Sequence, residues 1–84
     1  MPKYDPKTAN AKYISNLLHN IKWLRREFGV SKAEMARLLG VGVSTVDKIE
    51  RDELPLRMNV EVLFNLEDQF GFRACELIRE QFGE

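Results

Sequence analysis

Two short amphipathic segments, residues 32–39 and 43–51, are separated only by Gly40-Val41-Gly42. Apolar residues recur at helical spacing in both segments, so each is expected to form a helix with one buried side. Helices of about two turns are not stable alone, and a glycine that adopts a positive φ allows one to fold back against the other. The chain is therefore expected to build a small helical domain in which tertiary packing holds this pair.

Four residues within the pair have the types that closely crossing helices require. Ala36 is small where the two axes approach, and Gly40 follows four residues later, where the turn needs a positive φ. Val46 and Ile49 form the inward side of the second helix. The arrangement predicts a helix-turn-helix unit over residues 32–51, and the alternative is an ordinary αα-hairpin in a small bundle. The side chains left outward are those of Ser44, Thr45, Asp47 and Lys48.

Apolar residues also recur at helical spacing on both sides of this unit. The pattern predicts a first helix over residues 11–28, a fourth over residues 60–70 and a C-terminal helix over residues 73–82. Residues 1–10 hold two of the three prolines and are predicted to form a flexible N-terminal arm. Because no segment alternates as a strand does, the predicted fold class is all-α, with five helices in a single domain over residues 11–84.

Charge is unevenly distributed along the chain, although 13 basic residues balance 13 acidic ones. Residues 1–51 contain ten basic and five acidic side chains, whereas residues 52–84 contain three basic and eight acidic ones. A net charge of zero argues against attraction to nucleic acid or to membranes by bulk charge alone. The basic half is the one expected to face phosphate, and the acidic half is expected to face solvent or a partner.

Several classes of function are not expected from this composition. No apolar run is long enough to cross a membrane, and the charged N-terminal stretch does not resemble a signal peptide, so a cytoplasmic location is expected. Cys75 and His19 are single residues of their types and are not expected to form a disulfide or a metal site. No catalytic set or phosphate-binding loop is recognisable, so neither an enzyme nor a cofactor or small-molecule ligand is expected.

Short motifs lie along residues 20–70, namely Ile21-Lys22-Trp23-Leu24-Arg25, Ser31-Lys32-Ala33-Glu34-Met35-Ala36, Leu39-Gly40-Val41, Ser44-Thr45-Val46, Ile49-Glu50, Leu63-Phe64 and Leu66. By these motifs, residues 20–70 resemble the Cro/C1-type helix-turn-helix domain of phage repressors and of the xenobiotic-response-element regulators of bacteria. The resemblance implies a compact five-helix lambda-repressor-like fold, with helix 43–51 as a recognition helix in the major groove of DNA. It also implies a twofold dimer on a palindromic operator.

Three residues of the expected recognition helix are candidates for contacts with base edges. Val43 could touch a thymine methyl group, Ser44 could donate to or accept from several bases, and Lys48 could reach guanine O6 or N7. Each has an alternative role, namely staple-like packing for Val43, an N-cap for Ser44 and a phosphate contact for Lys48. The start of the helix stays open, because Gly42 is an acceptable N-cap and Ser44 with Asp47 has capping-box spacing.

Phosphate contacts are expected mainly from the ends of helices. Lys32 lies at the positive end of the second helix and is the strongest candidate. By the resemblance, Arg25 pairs with Glu50, which positions the recognition helix and can offer the arginine to a phosphate. An acid near DNA is unfavourable, so Asp47 is expected to face away or to pair with a neighbouring basic residue. The further candidates for phosphate contact are Thr45, Arg37 and Arg57.

The C-terminal segment is unusually apolar for its length and is bordered by acidic residues. A small monomer could use these apolar residues to close its core, whereas an exposed part of them would form a dimer surface. We predict a homodimer interface through Phe72, Leu77, Ile78 and Phe82.

The predicted function is a sequence-specific DNA-binding transcriptional regulator, in particular a repressor that acts as a homodimer on double-stranded DNA. The alternative is a protein-interaction module, such as an antitoxin or a regulatory partner that uses the same fold. An uninterrupted positive surface around Lys32, Ser44 and Lys48 would favour the first prediction, and acidic residues within that surface would favour the second.

Overall fold

The computed structural model describes the backbone of residues 6–55 and 59–83, and the side chains of these ranges from residue 11 onward. The described residues form five α-helices and no strand, which confirms the predicted all-α fold. The helices are α1 (Pro6–Glu27), α2 (Lys32–Leu39), α3 (Val43–Glu50), α4 (Val60–Phe70) and α5 (Ala74–Arg79).

Helix α1 begins at Pro6, five residues before the predicted start at Ala11. Proline suits the first turn of a helix, because its missing N–H has no helical partner there and its φ is already helical. Residues 6–10 are therefore helical and do not belong to an arm, while the rest of the predicted arm, residues 1–5, lies outside the described residues.

Local capping sets the ends of the helix-turn-helix unit. The Ser31 hydroxyl accepts a hydrogen bond from the Glu34 backbone N–H at 3.1 Å and begins α2. Gly40 ends α2 with a φ of 76°, and its N–H is directed to the carbonyls of Ala36 and Arg37. Gly42 is the N-cap of α3, which decides between the two starts that the sequence left open. The Ser44 hydroxyl is therefore not committed to capping.

The core lies where α1, α2, α3 and α4 meet and is closed from one end by α5. Helix α1 packs against α3 and α5, and α2 packs against α3 and α4. Leu24, Met35, Ile49 and Leu66 are completely enclosed, so each of the first four helices contributes at least one fully buried side chain. The remaining buried apolar residues are Leu17, Leu18, Ile21, Ala36, Leu39, Val46, Val62 and Leu77.

Polar side chains of α1 hold the end of α5. The Asn20 amide donates to the carbonyls of Leu77 and Glu80 at 2.8 and 2.7 Å, and its oxygen accepts from the Phe82 N–H at 2.7 Å. One turn earlier on α1, the Asn16 amide donates to the Ile78 carbonyl at 2.9 Å. These contacts satisfy carbonyls that the last turn of a helix leaves without partners. Helix α5 consequently stops at Arg79, short of the predicted end at residue 82.

The predicted dimer interface on α5 needs correction, because most of its apolar surface is used within one copy of the chain. Leu77 is 0% exposed and belongs to the core, so it cannot contact a second copy. The Phe82 ring packs edge-on against Trp23, with centroids 5.6 Å apart, and lies 4.9 Å from the ring of Phe72. Ile78 also packs against the core and is half-buried. The terminal helix closes this domain because a chain of this length buries only a small core, to which Leu77 adds a fully enclosed side chain.

Candidate nucleic-acid interface

The two sides of α3 have opposite environments. Val46 and Ile49 are buried against the other helices, as predicted. At about 3.6 residues per turn, Val43 and Asp47 lie above each other on the opposite side, followed by the C-cap residue Arg51. The outward face of α3 is defined by the side chains of Val43, Ser44, Asp47, Lys48 and Arg51, all of them exposed or partly exposed.

Thr45 does not belong to this face. The sequence predicted it to point outward as a phosphate contact, but the residue is only 8% exposed and packs on the inward side of the helix. Ile49 follows Thr45 by four residues, so at about 100° per residue Thr45 lies roughly above Ile49 on the buried side of the helix. The prediction of a solvent-facing Thr45 is wrong, because the buried side of α3 includes this polar residue in addition to Val46 and Ile49.

An open concavity lies beside the start of α3. Ser44 and Lys48 border it from the helix, and within the described residues no hydrogen bond engages the Ser44 hydroxyl. The remaining lining residues come from the turn, from α3 and from the segment after α3, namely Gly40, Val41, Gly42, Thr45 and Pro55. Because glycines line one side, the backbone of the turn is accessible to a ligand that approaches Ser44.

An ion pair joins α2 to α3 on this surface. The Lys32 ammonium lies 3.0 Å from the Asp47 carboxylate, and the two side chains are 49% and 39% exposed. Lys32 is thus at the start of α2 as predicted, but an acidic neighbour holds its charge. Of the two arrangements that the sequence allowed for Asp47, the structure shows the pair with a basic residue.

Arg25 and Glu50 form a two-pronged ion pair between α1 and the end of α3. Arg25 Nε and Nη2 donate to the two Glu50 carboxylate oxygens at 3.1 and 3.2 Å, and Nη1 donates to the Val30 carbonyl at 3.2 Å. Both side chains are largely enclosed. The hydrogen bonds to Glu50 raise the pKa of Arg25 further, against a smaller opposing effect of burial. Through these bonds α1 holds the end of α3 and the loop before α2.

The other predicted phosphate contacts differ in availability. Arg37 is well exposed on α2, where its Nε donates to Glu34 at 3.1 Å and where this bonding lowers the pKa of the Glu34 carboxyl. Arg57 lies outside the described residues.

A second acidic group borders the outward face of α3. The Glu53 carboxylate accepts from Arg51 Nε at 2.6 Å, and this hydrogen bond, with a smaller contribution from Lys48, lowers the pKa of Glu53. Asp47 and Glu53 thus interrupt the positive surface formed by Lys32, Lys48 and Arg51. Sequence reasoning missed the place of Arg51 on this surface, although its spacing of four residues from Asp47 was a usable signal.

The described residues contain no cluster of histidine, cysteine and acidic side chains that could hold a metal ion. None of the described helices has the length and apolar character required to cross a membrane.

Comparison with known families agrees with this geometry. A family model described as Helix-turn-helix matches residues 21–77, about two thirds of the chain. Searches of curated proteins and of solved structures give no match. The matched segment contains all of α2, α3 and α4, and with them every residue of the outward face of α3.

Proposed function

Because this chain belongs to the Cro/C1-type helix-turn-helix family, we propose that it is a sequence-specific transcriptional regulator whose helix α3 reads the major groove of DNA. DNA-binding regulation, rather than enzymatic activity, is what this family match supports in general. The observation that carries the finer proposal is the outward face of α3. It presents hydrogen-bonding and apolar side chains beside the start of α2, with the opposite side of the helix buried in the core.

Phosphate recognition is proposed to begin at α2. Its first backbone N–H groups lie at the positive end of the helix, where an anion is favoured, and Lys32 is the first residue there. Arg37, one turn or more further along, adds an exposed positive charge. Arg25 is proposed to act chiefly through Glu50 by positioning α3, because its three guanidinium nitrogens already donate to partners within the chain.

Base recognition is proposed for Val43, Ser44 and Lys48. Val43 is exposed at the leading end of α3, where an apolar side chain can contact a thymine methyl group. Ser44 keeps its hydroxyl available because Gly42 provides the N-cap. Lys48 borders the same concavity and is long enough to reach a guanine edge.

The proposal includes a homodimer on a palindromic operator, and the small size of this surface supports it. One short helix contacts few base pairs, and a chain of zero net charge gains little from bulk attraction. Two copies related by a twofold axis present two α3 helices to half-sites about one helical turn apart. We propose that the bound dimer represses transcription by covering the promoter that contains its operator.

Helix α4 is the proposed contact between the two copies. Val60 and Phe64 are 65% and 58% exposed and lie one turn apart, so they form a continuous apolar stripe. Two of the other exposed apolar residues are placed less suitably. Val43 belongs to the outward face of α3, and the ring of Phe28 packs against Phe70. A second copy is the simplest partner that buries the α4 stripe while leaving α3 free for DNA.

A protein-interaction module, such as an antitoxin, is the second candidate function. The observation in its favour is the presence of Asp47 and Glu53 within the surface that DNA would contact. The two candidates differ in one measurable property, which is affinity for duplex DNA at low salt.

The experiment is a titration of fluorescent duplexes with the full chain at several salt concentrations, beginning near 50 mM, where phosphate contacts are strong. One duplex carries DNA from upstream of the gene, and a second carries the same bases in shuffled order. Preferential binding to the first supports the proposal. Failure to bind either duplex at the lowest salt concentration contradicts it and leaves the interaction module as the better candidate.

A further inference from the structure

We propose that Asp47 makes this domain selective by suppressing its binding to unmatched DNA. The inference rests on the proposed function. It identifies a residue that opposes DNA binding, in addition to the residues that promote DNA binding. Its basis is the position of one carboxylate at the centre of the outward face of α3 and the ion pair that this carboxylate forms with Lys32.

The position of Asp47 is central on this face. Val43 precedes it by one turn, Arg51 follows it by one turn, and Ser44 and Lys48 lie to one side. A helix that enters the major groove with Val43, Ser44 and Lys48 toward the bases must bring Asp47 in with them. No orientation of α3 therefore turns Asp47 away from the DNA while keeping Val43, Ser44 and Lys48 in contact with the bases.

The carboxylate opposes binding in two ways. First, it holds the Lys32 ammonium at 3.0 Å, so a phosphate must compete with an existing partner for that charge. Second, it brings a negative charge close to the phosphate backbone, where the interaction is repulsive. Both effects act on every DNA sequence, because phosphates are the same in all of them.

A matched sequence offsets this cost. In the major groove the exocyclic amino group of cytosine is a hydrogen-bond donor that a carboxylate can accept from. When Asp47 accepts from a cytosine, the repulsion is compensated and Lys32 becomes free to contact a phosphate. Asp47 consequently favours half-sites with a cytosine opposite it and weakens binding to all others.

The other ion pairs of the described residues do not have this arrangement. Arg37 and Glu34 pair within α2, and Arg51 and Glu53 pair at the end of α3. Arg25 and Glu50 join α1 to the last residue of α3 and are largely enclosed. Lys22 and Asp52 pair at 2.5 Å, but they join α1 to the segment after α3. Among these, the Lys32–Asp47 pair alone joins the positive end of α2 to the outward face of α3.

The test compares Asp47→Asn with Asp52→Asn on a random-sequence duplex. Both changes remove one negative charge that pairs with a lysine. Asp52 has a φ of 60°, which asparagine tolerates, so the control is not expected to perturb the backbone. One additional phosphate contact is worth roughly tenfold in affinity near 50 mM salt and roughly fourfold near 200 mM. We expect gains of this size for Asp47→Asn, with a steeper salt dependence, and little gain for Asp52→Asn.

Two further measurements decide the mechanism. In a Lys32→Ala background the gain from Asp47→Asn should be smaller than in the wild-type background, because no lysine remains to be released and only the repulsion between the carboxylate and the phosphates is removed. Selection of bound half-sites from a random pool should yield a cytosine preference with the wild-type chain that is lost with Asp47→Asn. Thermal unfolding of each variant checks that the fold is intact.

The outcomes separate the inference from the proposed function. If the wild-type chain binds DNA but Asp47→Asn gains no more than Asp52→Asn on random DNA, the inference is overturned and the proposed function stands. The inference is also overturned if Asp47→Asn selects the same half-sites as the wild-type chain. A wild-type chain that binds no duplex at low salt overturns the proposed function and the inference together.

Discussion

Asn20 on α1 accepts a hydrogen bond from the backbone N–H of Phe82 at 2.7 Å, although 62 residues separate them. The same amide side chain donates to two carbonyls at the end of α5 and is itself fully buried. One side chain thus satisfies three backbone groups that would otherwise lack partners in the interior. The Asn20 contacts attach the C-terminal segment to the first helix and complete the core that supports α3.

Replacing Asn20 is expected to lower stability more than the loss of a single hydrogen bond would. Asn20→Ala leaves an N–H and two carbonyls without partners, and we expect a loss of about 2–4 kcal/mol in the free energy of unfolding. Urea denaturation followed by circular dichroism measures it. The matched control is Asn16→Ala, which removes one hydrogen bond to Ile78 and should cost about 1 kcal/mol. Equal losses for the two variants would contradict the expectation that the three Asn20 contacts stabilise the fold by more than a single hydrogen bond does.

The Arg25–Glu50 pair is expected to affect DNA affinity through the position of α3. Glu50→Gln removes the charge of the carboxylate. A double-mutant cycle of Glu50→Gln with Arg25→Met should give a coupling energy of about 1 kcal/mol in the free energy of unfolding. Affinity for the preferred duplex should fall together with stability, because α3 loses its link to α1. Asp52→Asn breaks an exposed pair between α1 and the segment after α3 and serves as the control. If Glu50→Gln destabilises the fold but leaves affinity unchanged, the pair has no positioning role.

Lys48 and Lys32 are expected to give different signatures in DNA binding. Lys48→Ala should cost about 1–3 kcal/mol on the preferred duplex and much less on shuffled DNA, because the proposed contact is with a base. Lys32→Ala should weaken both duplexes alike and reduce the salt slope by up to about one unit. Fluorescence anisotropy at several salt concentrations distinguishes the two. An equal loss for Lys48→Ala on both duplexes would reassign Lys48 to phosphate. Lys12→Ala, an exposed change on α1, is the control.

Phe64 is expected to matter for association and not for the fold of one copy. Phe64→Ser removes a mostly exposed ring from the α4 stripe, so the free energy of unfolding at low concentration should change by less than about 0.5 kcal/mol. The dissociation constant of the dimer should rise at least about tenfold, which corresponds to roughly 1.4 kcal/mol. Sedimentation equilibrium measures it, with Tyr13→Ser on α1 as the control. If Phe64→Ser and the wild-type chain have the same association state, the two copies do not meet at α4.

Local signals in the sequence were sufficient to predict most helix boundaries. The ends of α2 and the start of α4 follow from Ser31, Gly40 and Asn59, whose capping contacts involve residues only three or four positions away. The position of α3 after the turn, with Val46 and Ile49 inward, follows from periodicity for the same reason. Interactions over such short separations are encoded by adjacent residue types, whatever the rest of the chain does.

Tertiary structure decided what covers each face and which charges meet. Periodicity identified the apolar side of the C-terminal segment, but only packing shows that Leu77 fills the core of a single copy. The Lys32–Asp47 pair and the hydrogen bonds of Asn20 join different helices, so their existence depends on how those helices cross. The sequence by itself determined the helices and the turn that places α3. The fold determined which side chains α3 can offer to DNA, because burial and ion pairing are properties of the assembled helices and not of any one segment.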